Sequence, residues 1–414
     1  TALLHHVNVV ALERAFRRLK RSASPGIDGE TVATYEQELP AKLEDLCDRV
    51  NAGRYRPQPV RRVYIPKSGG GQRPLGVPAL EDKIVQSAVA EVLSAVYEVD
   101  FLGFSYGFRP GRNPHQALAA LHTGVMTQGV CWVLDADIRK FFDSVDHEWL
   151  MRMIAHRIAD PRVLRLIRMW LEAGVLEGGE WQRAVEGTPQ GAGISPLLAN
   201  VFLHYALDLW VHQWRKRTAR GRVIIVRYPD DFVMGFQYAD DARRMLAALK
   251  ERMAKFRLML HEEKTRLIEF GRLPALDHQR RGQRRLSTFA FLGFTHYCGW
   301  TRDGRFVLKR KTQSKRLTNK LKLLREQARL RMHAPVAEQH RWLCQVLRGH
   351  YAYYGLPSNF PALSAFHQQV RLLWFRSLRR RTQRRLTWDG YSVLLERFSL
   401  PTPRITHPRE EQRA

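Results

Sequence analysis

The chain has 414 residues, 44% hydrophobic and 26% charged, and its 68 Lys+Arg against 40 Asp+Glu give a formal net charge of +28. That length accommodates two or three domains with real cores, and that charge points to a polyanionic partner. With no secretory signal and no apolar run of about 18 residues, a membrane role is not expected, while four scattered cysteines (Cys47, Cys131, Cys298, Cys344) with no Cys-x-x-Cys pair leave no zinc module and fit a reducing compartment.

In chain order, Pro25-Gly-Ile-Asp-Gly29 reads as a turn. Ser68-Gly-Gly-Gly71 is a flexible turn between Lys67 and Arg73 that lets both cations converge on phosphate, although a lone surface cation is ordinarily just solvated. The apolar run Val130-Cys-Trp-Val-Leu134 ends in Asp135-Ala-Asp137, and at period 2 the two acids share one face of a strand. Further on, Val223-Ile-Ile-Val-Arg-Tyr-Pro-Asp-Asp-Phe-Val-Met-Gly-Phe236 reads as strand, two-residue turn, strand. An isolated Asp-Asp is most often a solvated turn, but at a hairpin tip the two charges repel unless a cation or bound partner neutralises them.

The upstream acidic strand changes that reading, because Asp135 or Asp137 can meet Asp230 and Asp231 across a sheet. Three carboxylates so placed would hold two Mg²⁺ ions about 3.5–4 Å apart, activating an attacking 3′-hydroxyl and stabilising a leaving pyrophosphate. The implied chemistry is nucleotidyl transfer. A second tetrapeptide, Tyr238-Ala-Asp-Asp241, opens a run with helical spacing over 241–256, where acids at a helix N-terminus have a capping role.

The C-terminal part is the most basic. Residues 301–414 hold 25 Lys+Arg and 7 Asp+Glu, a net +18, which leaves +10 for the first 300 residues. Such a surface binds phosphate backbone with steep salt dependence. Helical patterns over 312–331, 337–354 and 362–381 are separated by Pro335 and by Leu356-Pro-Ser-Asn-Phe-Pro361. Basic residues such as Arg379-Arg-Arg-Thr-Gln-Arg-Arg385 interleave with Trp342, Tyr351, Tyr353, Tyr354, Trp374 and Phe375, most of them expected in the core and one or two free to stack on bases.

Taken together, the blocks resemble the reverse transcriptases encoded by bacterial group II introns and their free-standing relatives. The resemblance runs in family order through Pro25-Gly-Ile-Asp-Gly29, Tyr64-Ile-Pro-Lys-Ser68, Gln72-Arg-Pro-Leu-Gly76, Ser105-Tyr-Gly-Phe-Arg-Pro-Gly-Arg112 and Asp137-Ile-Arg-Lys-Phe-Phe-Asp143. It continues through Gly187-Thr-Pro-Gln-Gly191, Ser195-Pro-Leu-Leu-Ala-Asn200, Tyr228-Pro-Asp-Asp231, Glu263-Lys-Thr265 and Phe291-Leu-Gly-Phe294. It implies an α+β, right-hand polymerase fold: fingers over 1–128, a palm of antiparallel sheet and helices over 129–300, and a helical thumb or maturase (X) domain with a basic tail over 301–414.

Carried over by position, Asp137 rather than Asp135 is the first metal ligand and catalytic acid, with Asp230 and Asp231. Lys67 and Arg73 clasp the triphosphate, Gln190 lines the nucleotide pocket, Gly191 allows close backbone approach, and Lys264 lies near the leaving phosphates. Phe142 blocks a ribose 2′-hydroxyl, and Leu292 with Gly293 forms the primer grip. The implied cofactor is Mg²⁺, two ions, with Mn²⁺ as a substitute. The implied partners are an RNA template, a DNA or RNA primer, dNTPs and group II intron RNA, in a bacterial cytoplasmic ribonucleoprotein associated with the nucleoid.

Two departures mark this chain. Pro229 stands where the family carries a small or aliphatic residue, and its fixed φ conflicts with the positive φ usual at the first central position of a two-residue hairpin turn, so Asp230 is expected to be re-aimed. No zinc-bearing nuclease follows the thumb, which implies a form lacking the HNH endonuclease that would use a pre-existing 3′ end. The opening Thr1 implies that the true start, with part of the fingers extension, lies upstream. The competing readings are a domesticated relative serving DNA repair or phage defence and a non-catalytic RNA-binding maturase weakened at Pro229.

Overall fold

A computed structural model describes residues 2–66, 71–177, 180–182, 186–188, 191, 193–282, 286–381 and 386–407. Lys67 and Gln190 therefore lie outside the described residues, as do Ser68, Gly69 and Gly70 of the glycine turn. The fold is mixed α+β and separates into two compact units, one of residues 1–124 with 130–267 and one of 125–129 with 268–414.

In the first unit, β1 (Val60–Pro66) pairs antiparallel with β2 (Gln72–Val77). β3 (Trp132–Asp137) belongs to a different sheet, whereas the short β4 (Val175–Glu177) runs parallel to β1 and is joined by β5 (Glu180–Gln182). β6 (Val223–Tyr228), β7 (Asp231–Phe236) and β8 (Arg266–Glu269) complete the second sheet, whose order is β6-β7-β3-β8. The β-branched Val223-Ile-Ile-Val226 favours a strand, and β7 is central, so Phe232, Val233, Met234 and Phe236 are all fully buried.

Helices cover this sheet. Leu134, Ala136, Phe232, Met234 and Phe236 share one core with residues of the helices Leu80–Tyr97, Ser195–Leu203 and Ala239–Lys255. The Ser195–Leu203 helix continues through a π-helical turn, His204–Asp208, into Leu209–Arg217. Such wide turns re-aim side chains within an otherwise regular helix and recur at functional sites.

The second unit contains β9 (Phe289–Phe291), β10 (Phe294–Trp300) and β11 (Phe306–Thr312), antiparallel and in the order β11-β10-β9. The expected helices are present as Ser314–Leu330, Val336–Tyr354 and Phe360–Arg379, followed by a further helix, Trp388–Arg397, that the sequence reading did not separate. Tyr351, Trp374 and Phe375 are core, whereas Trp388 stacks on Phe375 with ring centroids 4.1 Å apart and stays half exposed. Buried Gln339 accepts from Trp374 Nε1 at 3.1 Å and donates to the carbonyls of Met332 (3.1 Å) and Ala334 (2.9 Å). One side chain thus satisfies the chain reversal between two helices.

Candidate active site

The acids converge because of register. Tyr228 pairs with Asp231 across the β6–β7 hairpin, leaving Pro229 and Asp230 as its two-residue turn, and Asp231 stands opposite Asp137 in the β3–β7 ladder. Directly opposed residues project to the same face of a sheet. Asp135, two residues before Asp137, is instead ion-paired with Arg266 at 3.2 Å. The second Asp-Asp lies in the first turn of the helix Ala239–Lys255 but, contrary to the expected capping role, makes no cap hydrogen bond there; buried Asp241 instead accepts from the backbone N–H groups of Arg220 and Gly221, ahead of β6, at 3.0 and 2.9 Å, and pairs with Arg244.

The hairpin turn is held from beneath by Arg227, which is wholly buried at the end of β6. Its Nε and Nη2 donate to the two carboxylate oxygens of Asp208 at 2.8 and 2.6 Å. Its remaining N–H groups reach Ser105 Oγ (2.7 Å), Asn200 Oδ1 (3.1 Å) and the Pro229 carbonyl oxygen (2.6 Å). All five guanidinium donors are therefore used. Its backbone N–H and C=O are taken by Phe104 and Tyr106, which zips the 103–112 loop onto β6. Asn200 donates in turn to the Gly107 carbonyl at 2.7 Å, and a Cβ at Gly107 would lie 2.7 Å from Pro229 N and 2.8 Å from its Cα. Only glycine fits there.

Pro229 does not disrupt the hairpin. The register is unbroken on both sides of the turn, and neither Pro229 nor Asp230 has positive φ, so the turn is of a kind whose first central residue suits proline's fixed angle. The expectation of a conflicting turn is corrected on that point, because the Arg227 anchor and the Gly107 contact, not a primed turn type, set the local path.

Asp137 and Asp230 line one cavity of about 610 Å³. Arg73 and Leu75 from β2, Phe142, Gly191, Ser195, His261 and Lys264 share its wall. Arg73 is exposed at the end facing the solvent. Phe141 is core, as expected, while Phe142 faces the cavity and is held by its carbonyl, which accepts from Thr188 N at 2.7 Å. Gly191 has φ +113°, and a Cβ there would meet the Gly76 carbonyl oxygen at 2.6 Å, so the packing of the chain against β2 itself requires glycine at this position. Asp231 is not among the lining residues, and Leu292 and Gly293 lie in the second unit. Those two form the β9–β10 turn, both with positive φ, and the Leu292 carbonyl accepts from Tyr353 at 2.9 Å.

Electrostatics favour a cation here. Burial raises the pKa of Asp230; the charge of Asp137 adds to this, while its own backbone N–H, Arg227 and Arg73 oppose it. Lys264 Nζ lies 2.5 Å from Asp137 Oδ2, a largely solvated pair that is weak and easily exchanged. Among the described residues no three acid, imidazole or thiol groups form a ready-made cage. The two carboxylates that do line the cavity, Asp137 and Asp230, are the donor type that a hard divalent ion such as Mg²⁺ takes together with substrate phosphates. Sequence reasoning missed Arg227, Asp208 and Asn200 as supports, although a lone Arg in the run Val-Ile-Ile-Val-Arg-Tyr signals a buried charge that needs a partner. It also missed Phe108, which lines the cavity with φ +57° and 55% of its surface exposed.

Three outcomes test this construction. Arg227→Ala should lower unfolding free energy by about 3–5 kcal/mol in denaturant titration by stranding Asp208, whereas Arg227→Met with Asp208→Leu should regain most of it. Pro229→Ala should cost about 0.4–1 kcal/mol through the unfolded chain and leave the site's activity within about twofold of the parent. Because the folded pKa of Asp230 is raised, its stabilising contribution is present at low pH and lost as pH rises through that value. Asp230→Asn should therefore melt higher than the parent at neutral pH, with the gap closing toward about pH 4; a lower Tm at neutral pH would contradict the assignment.

The comparisons with known proteins agree with this geometry. The family model for reverse transcriptase (RNA-dependent DNA polymerase) matches residues 65–296. Protein YkfC of Escherichia coli (strain K12) is 37% identical over 244 residues, covering 52% of this chain and 64% of that protein. The group II intron-encoded protein LtrA of Lactococcus lactis subsp. cremoris is 38% identical over 202 residues, covering 49% of this chain and 33% of LtrA. Nuclear intron maturase 1, mitochondrial, of Arabidopsis thaliana is 30% identical over 95 residues, covering 23% of this chain and 13% of the maturase. The chain spans less than two thirds of the length of these relatives, but with a matched domain covering more than half its length and its acids on facing strands of one sheet, it belongs to the reverse transcriptase family.

Proposed function

We propose that the protein is an RNA-directed DNA polymerase of group II intron type that also binds intron RNA as a maturase. The observation that carries this reading is the single cavity lined by Asp137 and Asp230, with Arg73 and Phe142 on its walls. In this reading Asp137 and Asp230, with Asp231 beside them at the start of β7, would hold two Mg²⁺ ions, which when bound would supply charge neutralisation for the attacking 3′-oxygen and the leaving pyrophosphate.

The side chains do the positioning. Arg73 presents a planar fork to the triphosphate, and the family resemblance assigns Lys67 a point charge in the same role. Lys264, already neutralising Asp137, supplies its charge to phosphate oxygens at the same mouth. The ring of Phe142, on the cavity wall, blocks a ribose 2′-hydroxyl and so selects deoxynucleotides, Gly191 contributes backbone to the same wall, and the family resemblance assigns Gln190 to the nucleotide pocket. Leu292 and Gly293 serve as the primer grip. Fingers, palm and thumb correspond to 1–128, 129–300 and 301–414, a division by role that cuts across the two compact units. Template RNA, primer and intron RNA are drawn in by the basic C-terminal region, and no described helix is long and apolar enough to cross a membrane.

Primer extension on an RNA template with dNTPs and Mg²⁺ tests the reading. Asp137→Asn or Asp230→Asn should reduce it by about a thousandfold or more, equivalent to roughly 4 kcal/mol. Phe142→Val should lower discrimination against ribonucleotides by about tenfold or more, roughly 1.4 kcal/mol. Extension by the parent no greater than by Asp230→Asn would leave a non-catalytic RNA-binding maturase, and unchanged discrimination would remove Phe142 as the gate.

A further inference from the structure

Away from the acids, the second unit has a cavity of about 370 Å³ between the helices Ser314–Leu330 and Phe360–Arg379. Arg325 and Arg329 project from the first helix, and Arg376 and Arg380 from the end of the second. All four are exposed, none has an ion-pair partner among the described residues, and no acidic side chain lines the cavity. Four uncompensated guanidinium groups around one opening repel each other in the free protein. Arg329 and Arg376 lie in the last turns of their helices, where the dipole favours cations, but that accounts neither for the other two nor for the floor.

The floor is apolar. Ala328 and Leu373 are buried beneath it, with Leu372 and Met332 beside them, and Gln369 and Ser377 supply hydrogen-bonding groups at its edge. A duplex backbone would use the arginines and leave that floor empty. A nucleotide whose base is unpaired would use both, with the base on the apolar surface, its edge at Gln369 and Ser377, and the flanking phosphates on the guanidinium forks. The volume falls within the range of pockets that enclose a small ligand. We infer that this groove is a second nucleic-acid site that captures an unpaired nucleotide of a single strand. The inference rests on the RNA-binding part of the proposed function and narrows its ligand, but depends on no chemistry at Asp137 or Asp230, so it can fail while primer extension succeeds.

The test is binding by the full chain, without dNTPs, of a labelled single-stranded RNA, a single-stranded DNA of the same sequence and the corresponding RNA duplex, by fluorescence anisotropy over a salt series. Arg376→Gln with Arg380→Gln should reduce the slope of log K against log salt for single strands by about 1.4, two phosphate contacts at about 0.7 each. Ser377→Trp, which fills the groove and removes no charge, should weaken single-strand binding by about tenfold or more and leave duplex binding unchanged. A loss confined to RNA, or one shared equally by RNA and DNA strands, supports the site and names its ligand. Equal losses on single strand and duplex in both variants, or unchanged single-strand binding in the folded arginine variant, would overturn it.

Discussion

The site depends on one buried guanidinium. Arg227 is wholly enclosed, and every one of its donors is committed to Asp208, Ser105, Asn200 or the Pro229 carbonyl. A charge in such a place is tolerable only when paired and fully hydrogen-bonded. Its partners come from three separate stretches of chain: the 103–112 loop, the helix that begins at Ser195 and the π-helical turn ending at Asp208. Folding those stretches together is therefore what orients the turn bearing Asp230. The ion pair contributes less to net stability than to specifying one arrangement of the backbone beneath the acids.

A second level of support comes from the loop itself. Arg109 is buried and donates to Glu98 at 2.6 Å and to the carbonyls of Leu102 and Ser105 at 2.7 and 2.8 Å. It makes the 103–112 loop a rigid arch rather than a surface excursion. On the arch stand Ser105, which touches Arg227, and Phe108, which is held in a left-handed backbone conformation uncommon for a bulky residue and lines the cavity. A rigid support of this kind confines the turn that bears Asp230 to small positional tolerances.

Much of this was legible in residue order. The apolar run that ends in Asp135 and Asp137, the β-branched run before Pro229 and the acids after it placed Asp137 and Asp231 on facing strands with Asp230 in the adjoining turn, because strand pairing follows from the apolar pattern and turn length. The three thumb helices followed from apolar spacing and proline breaks. What order did not disclose was long-range polar pairing. Arg227 and Asp208 each sit in an apolar run, and only the fold brings the two together. The β9–β11 sheet was equally hidden, since Phe289–Phe291 is too short for its alternation to be distinguished from a loop. Proline in the turn misled for a related reason: local turn statistics describe an isolated hairpin, and here tertiary contacts decide.

The contact between Gly107 and Pro229 has an evolutionary corollary. Most loops of this size absorb extra residues at little cost, since lengthening a surface connection changes chain entropy only slightly. This one is tied at both flanks and touches the acid-bearing turn at its middle, so an insertion of even one residue would push backbone into Pro229. The segment from Phe104 to Arg109 is thus bound to keep its length while neighbouring connections drift, and position 107 is bound to glycine whatever residue stands at 229, because the close contact is with backbone N and Cα.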